Sequence, residues 1–362
     1  YTIDDNNVAC DSVIYGNAKI LRSTAGTLGC IRTQNTGTIL RVYCDTINSA
    51  AIGINIRCVL GTQFIKAKTI SSTFANAAAV CDGGSQTIYA ETFSSIIGVS
   101  CTGGSQYIYG LVNGTTNSGT SCSGGTQYIY GNVTATTGHG AVVTSSGTQY
   151  VFGNITTVSA GSGATVSSTG TQVITGNITN TGTGYGATCN NTTSVQTIYG
   201  DITATTNFGA WCSAGIQRIY GNIISAGQIG AYCLDGTQYI YGNVSHTGVG
   251  AADINGAAAA NTGTQIIVGN ISTTDTGAIA YGVDHGSSSI LSSYNGNISS
   301  INGEGVYLSA GTARIKPGSK ISTAGANAVT QIGGTLILDG CTLISATNSI
   351  TAASTVTLYG VN

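Results

Sequence analysis

One short motif returns along most of this 362-residue chain at a nearly constant interval. It reads GGSQYIYG at 103–110, GGTQYIYGNVT at 124–134 and DGTQYIYGNVS at 235–245. Ten glutamines mark successive copies, about 22 residues apart on average, and they are Gln63, Gln86, Gln106, Gln127, Gln149, Gln172, Gln196, Gln217, Gln238 and Gln265. Self-similarity at a fixed period is the signature of a repeat architecture, so this period constrains the fold more than any single residue does.

Within each unit, outward and inward residues alternate with period two, which predicts β-strands. From Gln127 onward, one face carries Ile129 and Val133 and the other carries Tyr128 and Tyr130. Two aliphatic columns are expected to face inward: Ile108, Ile129, Val151, Ile174, Ile198, Ile219, Ile240 and Ile267, then Val112, Val133, Ile155, Ile178, Ile202, Ile223, Val244 and Ile271. A second strand of the form Gly-Ala-x-(Cys or Val) precedes each glutamine, and its small residues suit a narrow interior.

Identical residues in register at every unit are what a parallel β-solenoid requires. With degenerate copies at both ends, we predict an all-β fold, a parallel β-helix (β-solenoid) of about sixteen coils of about 22 residues. A single elongated domain is expected over 1–362, with less regular N-terminal coils at 1–60, regular repeats at 61–272 and degenerate C-terminal coils at 273–362. The pattern resembles the right-handed parallel β-helix superfamily of surface adhesins, autotransporter passengers and phage tailspikes, at the level of architecture only.

Composition excludes several classes of partner. Only 7% of the residues are charged, against roughly a quarter in an average soluble domain. A net charge of -2 without clustered Lys and Arg predicts no nucleic-acid partner. No run approaches the roughly 18 apolar residues of a membrane-spanning helix. The chain starts at Tyr1 without Met, which is consistent with processing of a precursor.

Cysteines recur at a fixed place in the repeat, five residues before the glutamine in most units. The column consists of Cys58, Cys81, Cys101, Cys122, Cys189, Cys212 and Cys233. Val143 and Val166 replace cysteine in two units, which favours buried apolar thiols over disulfides between neighbouring coils. Outside the column, Cys30 and Cys44 form the candidate disulfide. Because the total of eleven is odd, at least one thiol is free or pairs between subunits.

Asn-x-(Ser or Thr) triplets recur in phase with the repeat. These candidate N-glycosylation sites begin at Asn113, Asn132, Asn154, Asn177, Asn190, Asn191, Asn243, Asn270 and Asn297. They are acceptor sequons if the chain passes through a glycosylating export pathway. Selection for a hydrogen-bonded asparagine ladder would also repeat in phase, so both interpretations remain open.

An aromatic column runs beside the asparagines. It consists of Tyr89, Tyr109, Tyr130, Phe152, Tyr199, Tyr220 and Tyr241. If exposed, such a stripe marks a candidate interface. Stacking of the rings between coils would stabilise the protein without any partner, and the two roles are compatible. The flat rings could also bind sugars, although nothing in their spacing requires it.

Catalytic signals are weak. A polysaccharide lyase or hydrolase would need two or three convergent carboxylates, whereas the acidic residues here are scattered. The densest group, expected to be solvated loop residues, is Asp253, Asp275, Asp284 and His285, while His139 and His246 are placed in corner loops. Nucleotide, calcium and zinc motifs do not occur in the sequence. We therefore predict a protein that is not an enzyme and has no catalytic residues, metal or cofactor.

Neither end of the sequence shows an amphipathic capping helix, which favours head-to-tail assembly of copies of this chain. The resulting hypothesis is a secreted structural protein, the subunit of an extracellular or cell-surface filament that serves adhesion or surface scaffolding. Glycans or a host or cell surface are the other expected partners. The alternative is a receptor- or glycan-binding adhesin or phage tail spike, with a carbohydrate-active enzyme as a distant third.

Overall fold

A computed structural model describes residues 3–4, 11–15, 19–22, 31–49, 55–72, 77–248, 255–275, 280–286, 288 and 292–362. This part of the chain consists of β-strands and connecting turns, and it contains no helix. The chain divides into two compact units, residues 1–177 and 178–362. Each unit is described by itself.

The first unit is built from 21 short strands in the described residues. They are β1 (Ile3–Asp4), β2 (Asp11–Tyr15), β3 (Lys19–Arg22), β4 (Ile31–Thr33), β5 (Ile39–Tyr43), β6 (Thr46–Ser49), β7 (Ile56–Cys58), β8 (Thr62–Lys66), β9 (Thr69–Ser72), β10 (Ala77–Cys81), β11 (Ser85–Ser95), β12 (Ile97–Cys101), β13 (Ser105–Gly114), β14 (Thr120–Cys122), β15 (Thr126–Tyr130), β16 (Val133–Ala135), β17 (Ala141–Val143), β18 (Thr148–Phe152), β19 (Ile155–Thr157), β20 (Ala164–Val166) and β21 (Thr171–Thr175).

The second unit continues the same pattern with 22 strands in its described residues. They are β22 (Ile178–Asn180), β23 (Ala187–Tyr199), β24 (Ile202–Ala204), β25 (Ala210–Tyr220), β26 (Ile223–Ser225), β27 (Ala231–Cys233), β28 (Thr237–Tyr241), β29 (Val244–His246), β30 (Ala257–Ala259), β31 (Thr264–Val268), β32 (Ile271–Thr273), β33 (Val283–His285), β34 (Ser292–Asn295), β35 (Ile298–Ser300), β36 (Val306–Leu308), β37 (Thr312–Ile315), β38 (Lys320–Thr323), β39 (Val329–Gln331), β40 (Thr335–Asp339), β41 (Thr342–Ile344), β42 (Ile350–Ala352) and β43 (Thr355–Tyr359).

Three strands make one turn, and each strand pairs in parallel with the equivalent strand of the next turn. In the first unit β14, β15 and β16 pair with β17, β18 and β19. In the second unit β27, β28 and β29 pair with β30, β31 and β32. Each unit is therefore a parallel β-solenoid, and the predicted fold class is confirmed. In the described residues the turns number about 13, slightly fewer than the sixteen predicted units. The predicted division into one domain of three segments stays a prediction.

The interior is built from the columns that the alternation predicted. Every member of the two aliphatic columns is at most 1% exposed. The alanines of the Gly-Ala strand, such as Ala141 and Ala210, are also fully buried. One detail differs from the sequence analysis: the segment after Gln127 is two strands, because β15 ends at Tyr130 and β16 begins at Val133. A glycine corner separates them, so the chain turns there without disturbing the inward positions.

The glutamines form a buried hydrogen-bonded ladder inside each unit. The Nε2 of Gln106 donates to the Oε1 of Gln86 at 2.7 Å, and the Nε2 of Gln127 donates to the Oε1 of Gln106 at 2.7 Å. In the second unit Gln238 donates to Gln217 at 2.7 Å. Because a buried amide without a partner is strongly unfavourable, the ladder requires glutamine at each turn that carries it. The sequence analysis used these residues as markers of the repeat and did not predict the ladder.

The cysteine column is buried, as the sequence predicted. Cys58, Cys81, Cys101 and Cys122 stack in register with Val143 and Val166, and Cys189, Cys212 and Cys233 stack in the second unit, all without exposure. These cysteines are free thiols. The Sγ of Cys81 donates to the carbonyl of Gly83 at 3.2 Å. Contacts with neighbouring thiols, followed by burial, hold the pKa of Cys81 well above its ordinary value. The column lies wholly inside the coil and therefore serves as core.

Candidate functional site

The outward aromatic column is a stacked ladder of rings in the first unit. Tyr89, Tyr109, Tyr130 and Phe152 follow one another in register on β11, β13, β15 and β18. Successive ring centroids lie 4.3, 4.6 and 4.9 Å apart, and the planes are within 8° of parallel. Tyr89, Tyr130 and Phe152 are 37 to 40% exposed. The predicted stacking between coils is confirmed, and the ladder presents ring edges to the solvent.

A second, shorter ladder lies on the second unit. The rings of Tyr199 and Tyr220 stack at 4.9 Å, and those of Tyr220 and Tyr241 stack at 5.1 Å. All three side chains are exposed. Their role as an interface stays a prediction, since stacking alone accounts for their arrangement. Such pairs add about 0.5 to 1.5 kcal/mol each beyond the burial of their area.

The asparagines form a second outward ladder at the glycine corners. In the first unit the Oδ1 of Asn132 accepts from the backbone N–H of Asn154 at 2.9 Å, and the Oδ1 of Asn154 accepts from that of Asn177 at 2.9 Å. In the second unit Asn243 and Asn270 accept equivalent bonds at 2.9 and 3.0 Å from the next corner. The ladder uses the amide oxygen, whereas a glycan attaches to the amide nitrogen. These asparagines are exposed, so the two predicted roles remain compatible.

Three candidate sequons lie outside this ladder. Asn113 is half-buried on β13, where its Oδ1 accepts from the hydroxyl of Thr134. The Oδ1 of Asn190 accepts from the Ser213 hydroxyl at 3.3 Å, and the Oδ1 of Asn191 accepts from the backbone of Thr193 at 3.1 Å. Modification of any of these asparagines, like that of Asn132, Asn154, Asn177, Asn243, Asn270 and Asn297, stays a prediction.

The expectation of a solvated acidic loop group is wrong for two of its members. Asp275 and His285 are fully buried. His285 lies on β33 in register with Ala259, the position that cysteine occupies in other turns. Burial lowers the pKa of His285 to about 4. Asp284 is half-buried on the same strand and accepts from Asn255 at 3.4 Å, while Asp253 lies outside the described residues.

His246 is also misplaced by the sequence analysis. It lies on β29 and is fully buried, in register with Ser225 and Thr273. Burial lowers its pKa. His139, by contrast, lies in a corner as expected, half-buried, with its Nδ1 accepting from the backbone of Ser162 at 3.0 Å. The buried histidines fill inward positions of the coil and are core residues.

The candidate disulfide falls partly outside the described residues, because Cys30 lies there. Cys44 is half-buried at the end of β5 and is a free thiol. Burial, with a smaller contribution from the Asp45 carboxylate, raises the pKa of Cys44 to about 11. In the described part of the chain, no three His, Cys, Asp or Glu side chains are grouped so that they could hold a metal ion.

A cluster of unlike aromatic rings was missed. In the second unit Trp211 meets Tyr185 edge to face at 4.6 Å and contacts Phe208 and Tyr232 at 5.1 and 6.0 Å. Trp211 occupies the variable position of the Gly-Ala-x-Cys strand, and Tyr232 occupies that position one turn later. Comparison of that position between units would have revealed the pair.

No helix in the described residues has the length and apolar character needed to cross a membrane. Comparison of the chain with protein-family models, with curated proteins and with solved structures found no match. The functional argument therefore depends on the geometry of the chain itself.

Proposed function

We propose that this chain is a secreted structural protein that forms an extracellular or cell-surface filament, with a role in adhesion or surface scaffolding and no catalysis. The observation that carries the proposal is the repetition of identical contacts from turn to turn. Buried glutamines, stacked rings and corner asparagines each bond to their own kind in the adjacent turn. A core that repeats the same hydrogen bonds at each turn is suited to a stiff coil. A surface with exposed rings and asparagines is suited to contact with other molecules.

The same repetition supports assembly from copies of one chain. Strands of one copy placed against the equivalent strands of another can pair in the parallel arrangement that they use within their own unit. Backbone pairing between parallel strands would then continue between copies. Association of this head-to-tail kind builds open filaments when it does not close into a ring.

The low charge of the surface also fits this proposal. Residues 92–200 contain no Asp, Glu, Lys or Arg, so copies could approach this region without desolvating charges. Among the exposed rings of the first unit, Tyr130 and Phe152 lie within it and Tyr89 lies at its border, whereas Tyr15 lies outside it. A contiguous apolar stripe of this kind is typical of interaction surfaces.

Electron microscopy of the native material under non-denaturing conditions tests the proposal. We expect long, uniform fibres, with X-ray fibre diffraction showing a reflection near 4.8 Å along the fibre axis, because the strands stack in that direction. Isolated short particles at every concentration tested would contradict filament formation.

Glycosylation of the corner asparagines belongs to the same proposal. Successive acceptors lie on strands about 4.8 Å apart, so attached glycans on adjacent turns would crowd one another. We expect partial occupancy with adjacent turns avoided, measurable by mass spectrometry of glycopeptides from the native protein. Unmodified asparagines throughout would leave the ladder as their only role.

The alternative, a glycan-binding adhesin, is favoured by a different observation. One surface groove of the first unit combines aromatic rings with a concentration of charged side chains.

A further inference from the structure

Along the first strand of each turn in the second unit, one outward position forms a column. Its members in five successive turns are Trp211, Tyr232, Ala258, Asp284 and Tyr307, each in register with the next. Because neighbouring strands are about 4.8 Å apart, three steps place the strand of Tyr307 about 14 Å from that of Tyr232. Only Ala258 and Asp284 stand between them in this column. The column therefore changes from aromatic to small and acidic for two turns.

The next outward column along these strands is small over the same two turns. Ala260 and Gly286 lie in them, and Ser309 lies one turn later, whereas Leu234 lies one turn earlier. Ala258 is buried, but Ala260, Gly286 and Ser309 are partly exposed, so the open floor lies on this second column. The two columns line a pocket of about 620 Å³, which we call the Asp284 pocket. A concave site of this size with mostly apolar walls is the usual form of a small-ligand site.

One wall of the Asp284 pocket is built from rings that are not parallel. The centroids of Phe208 and Trp211 lie 5.1 Å apart with planes at 64°, and those of Trp211 and Tyr232 lie 6.0 Å apart with planes at 72°. Parallel stacking in the outward ladders covers ring faces, whereas steep angles leave more of each face uncovered. The faces of Trp and Tyr carry the negative part of the ring quadrupole and attract cations.

The charge of the Asp284 pocket has one sign. Asp284 is the only charged residue among the described residues that line it, and its half-buried carboxylate accepts from the Nδ2 of Asn255 at 3.4 Å. His285 on the same strand is fully buried, and burial lowers its pKa to about 4, so it is uncharged at neutral pH. Residues 219–313 contain five acidic residues and no Lys or Arg. The pocket is therefore negative.

The basic residues that flank this stretch of sequence are engaged elsewhere. The guanidinium of Arg218 lies 5.6 Å from the ring centroid of Tyr239. The Nη2 of Arg314 lies 2.5 Å from the Oδ2 of Asp339. Neither arginine lines the Asp284 pocket. An anion would thus meet no positive charge in the described lining, whereas a cation meets a carboxylate and aromatic rings.

We propose that the Asp284 pocket binds an organic cation of the quaternary ammonium class. The methylated head group lies over Ala260 against the ring of Tyr232, and the carboxylate of Asp284 attracts its positive charge. A primary ammonium has three N–H donors that need acceptors, whereas a quaternary ammonium has none. A wall of rings with one carboxylate therefore suits the quaternary class. The pocket lies within the second unit, so binding does not depend on filament formation.

The fluorescence of Trp211 tests the site directly, because this residue is the only tryptophan of the chain. The probe is choline, added to the full chain at low protein concentration. The control ligand is its neutral carbon isostere, in which a tert-butyl group replaces the trimethylammonium group. We expect choline to change the emission saturably, and calorimetry to show binding about tenfold tighter than that of the isostere. Added sodium chloride should weaken choline binding by screening Asp284.

A charge substitution with a matched control tests the role of the carboxylate. Asp284→Asn keeps the size of the side chain and removes its charge, so choline binding should weaken by about tenfold. Asp201→Asn removes one carboxylate of the same unit outside the pocket. It introduces the residue that most turns carry after the corner glycine, so the fold should be retained. This control should bind choline as the parent does.

A second substitution fills the floor of the pocket. Ala260→Leu introduces the residue that occupies the equivalent position one turn earlier, at Leu234, so we expect folding to be retained. The larger side chain takes the space of the head group, and choline binding should be lost. Circular dichroism and thermal unfolding of the variant establish that its fold matches that of the parent.

Four results would overturn the proposal. They are no saturable binding of choline by the parent, equal affinity for the neutral isostere, unchanged affinity in Asp284→Asn, and unchanged affinity in a folded Ala260→Leu variant. Equal affinity for the isostere would identify the pocket as a site for neutral apolar ligands instead.

Discussion

Two stretches of the first unit have the same interior and different surfaces. In the turns that contain Tyr43, Lys66 and Tyr89, the corner has an additional residue and carries charge. In the turns from Tyr109 to Phe152, each corner begins with glycine, which is followed by leucine in the first turn and by asparagine in the other two. The aromatic ladder is unbroken in these turns. The buried glutamines pass through both stretches without interruption. A constant core thus permits the surface to change turn by turn.

The sharpest difference lies at the first glycine corner. Gly110 has φ of +142°, and a Cβ at this position would lie 1.7 Å from the carbonyl oxygen of Ala90. Gly110→Ala should therefore lower the free energy of unfolding by about 3 kcal/mol or more, from backbone strain and steric overlap. Ala90→Gly, at the same corner one turn earlier, should lower it by about 0.5 to 1 kcal/mol. Chemical denaturation measures both, and equal effects would show that the two corners do not differ.

The shared interior predicts equal effects in the two stretches. Gln86 and Gln127 each donate to the glutamine of the preceding turn and accept from that of the next. Replacing either by alanine leaves a cavity and unpaired amide groups, with an expected loss of about 3 kcal/mol. Urea unfolding of both variants tests this equality. A loss that is much smaller at Gln86 would mean that the core is weaker beside the groove.

Extending the ladder by one ring should stabilise the protein modestly. Thr175→Tyr places a ring in register with Phe152, and stacked pairs contribute about 0.5 to 1.5 kcal/mol each. We expect a gain of about 1 kcal/mol in the free energy of unfolding. Lys66→Tyr is the matched control and should give no gain, because the Phe64 ring already lies between Tyr43 and Tyr89. An equal gain in both variants would show that Phe64 does not replace the missing ring.

The smallest expected effect concerns the thiol at the groove. The pKa of Cys44 is about 11, above the ordinary value of 9.0, because the thiol is partly buried and lies beside Asp45. At pH 9 about 1% of this thiol is ionised, whereas an ordinary thiol is about half ionised. Alkylation by iodoacetamide should therefore accelerate up to pH 11 and beyond. A rate that levels off near pH 9 would show that the environment of Cys44 is that of free solvent.

Periodicity was sufficient to predict the coil, its inward aliphatic residues and its buried cysteines. These features repeat at a fixed position in every unit, so a single register assigns them all. The wrong placement of His246 and His285 in loops also depends on the register of the repeat. Both residues lie in turns with long connections, where the alignment of the repeat was uncertain, and both occupy inward strand positions that the register of neighbouring turns identifies.

The groove of the first unit was not predicted, because several of its lining residues lie where the repeat is degenerate. The aromatic column was recognised from Tyr89 onward, where the motif is regular. Tyr15 and Tyr43 belong to the same column, but the degenerate sequence around them hides their register. Only the pairing of β5 with β8 and of β8 with β11 places Lys66 between two rings.

By itself, the sequence determined the parallel coil and the side of the strand on which each repeated residue lies, because alternation and period act locally and are the same in every unit. The tertiary structure decided which side chains contact or hydrogen-bond with one another across turns. The glutamine bonds, the use of asparagine oxygen at the corners and the position of Lys66 between Tyr43 and Tyr89 depend on the register between strands that are 20 or more residues apart. That register follows from backbone pairing, which the residues of one unit do not specify alone.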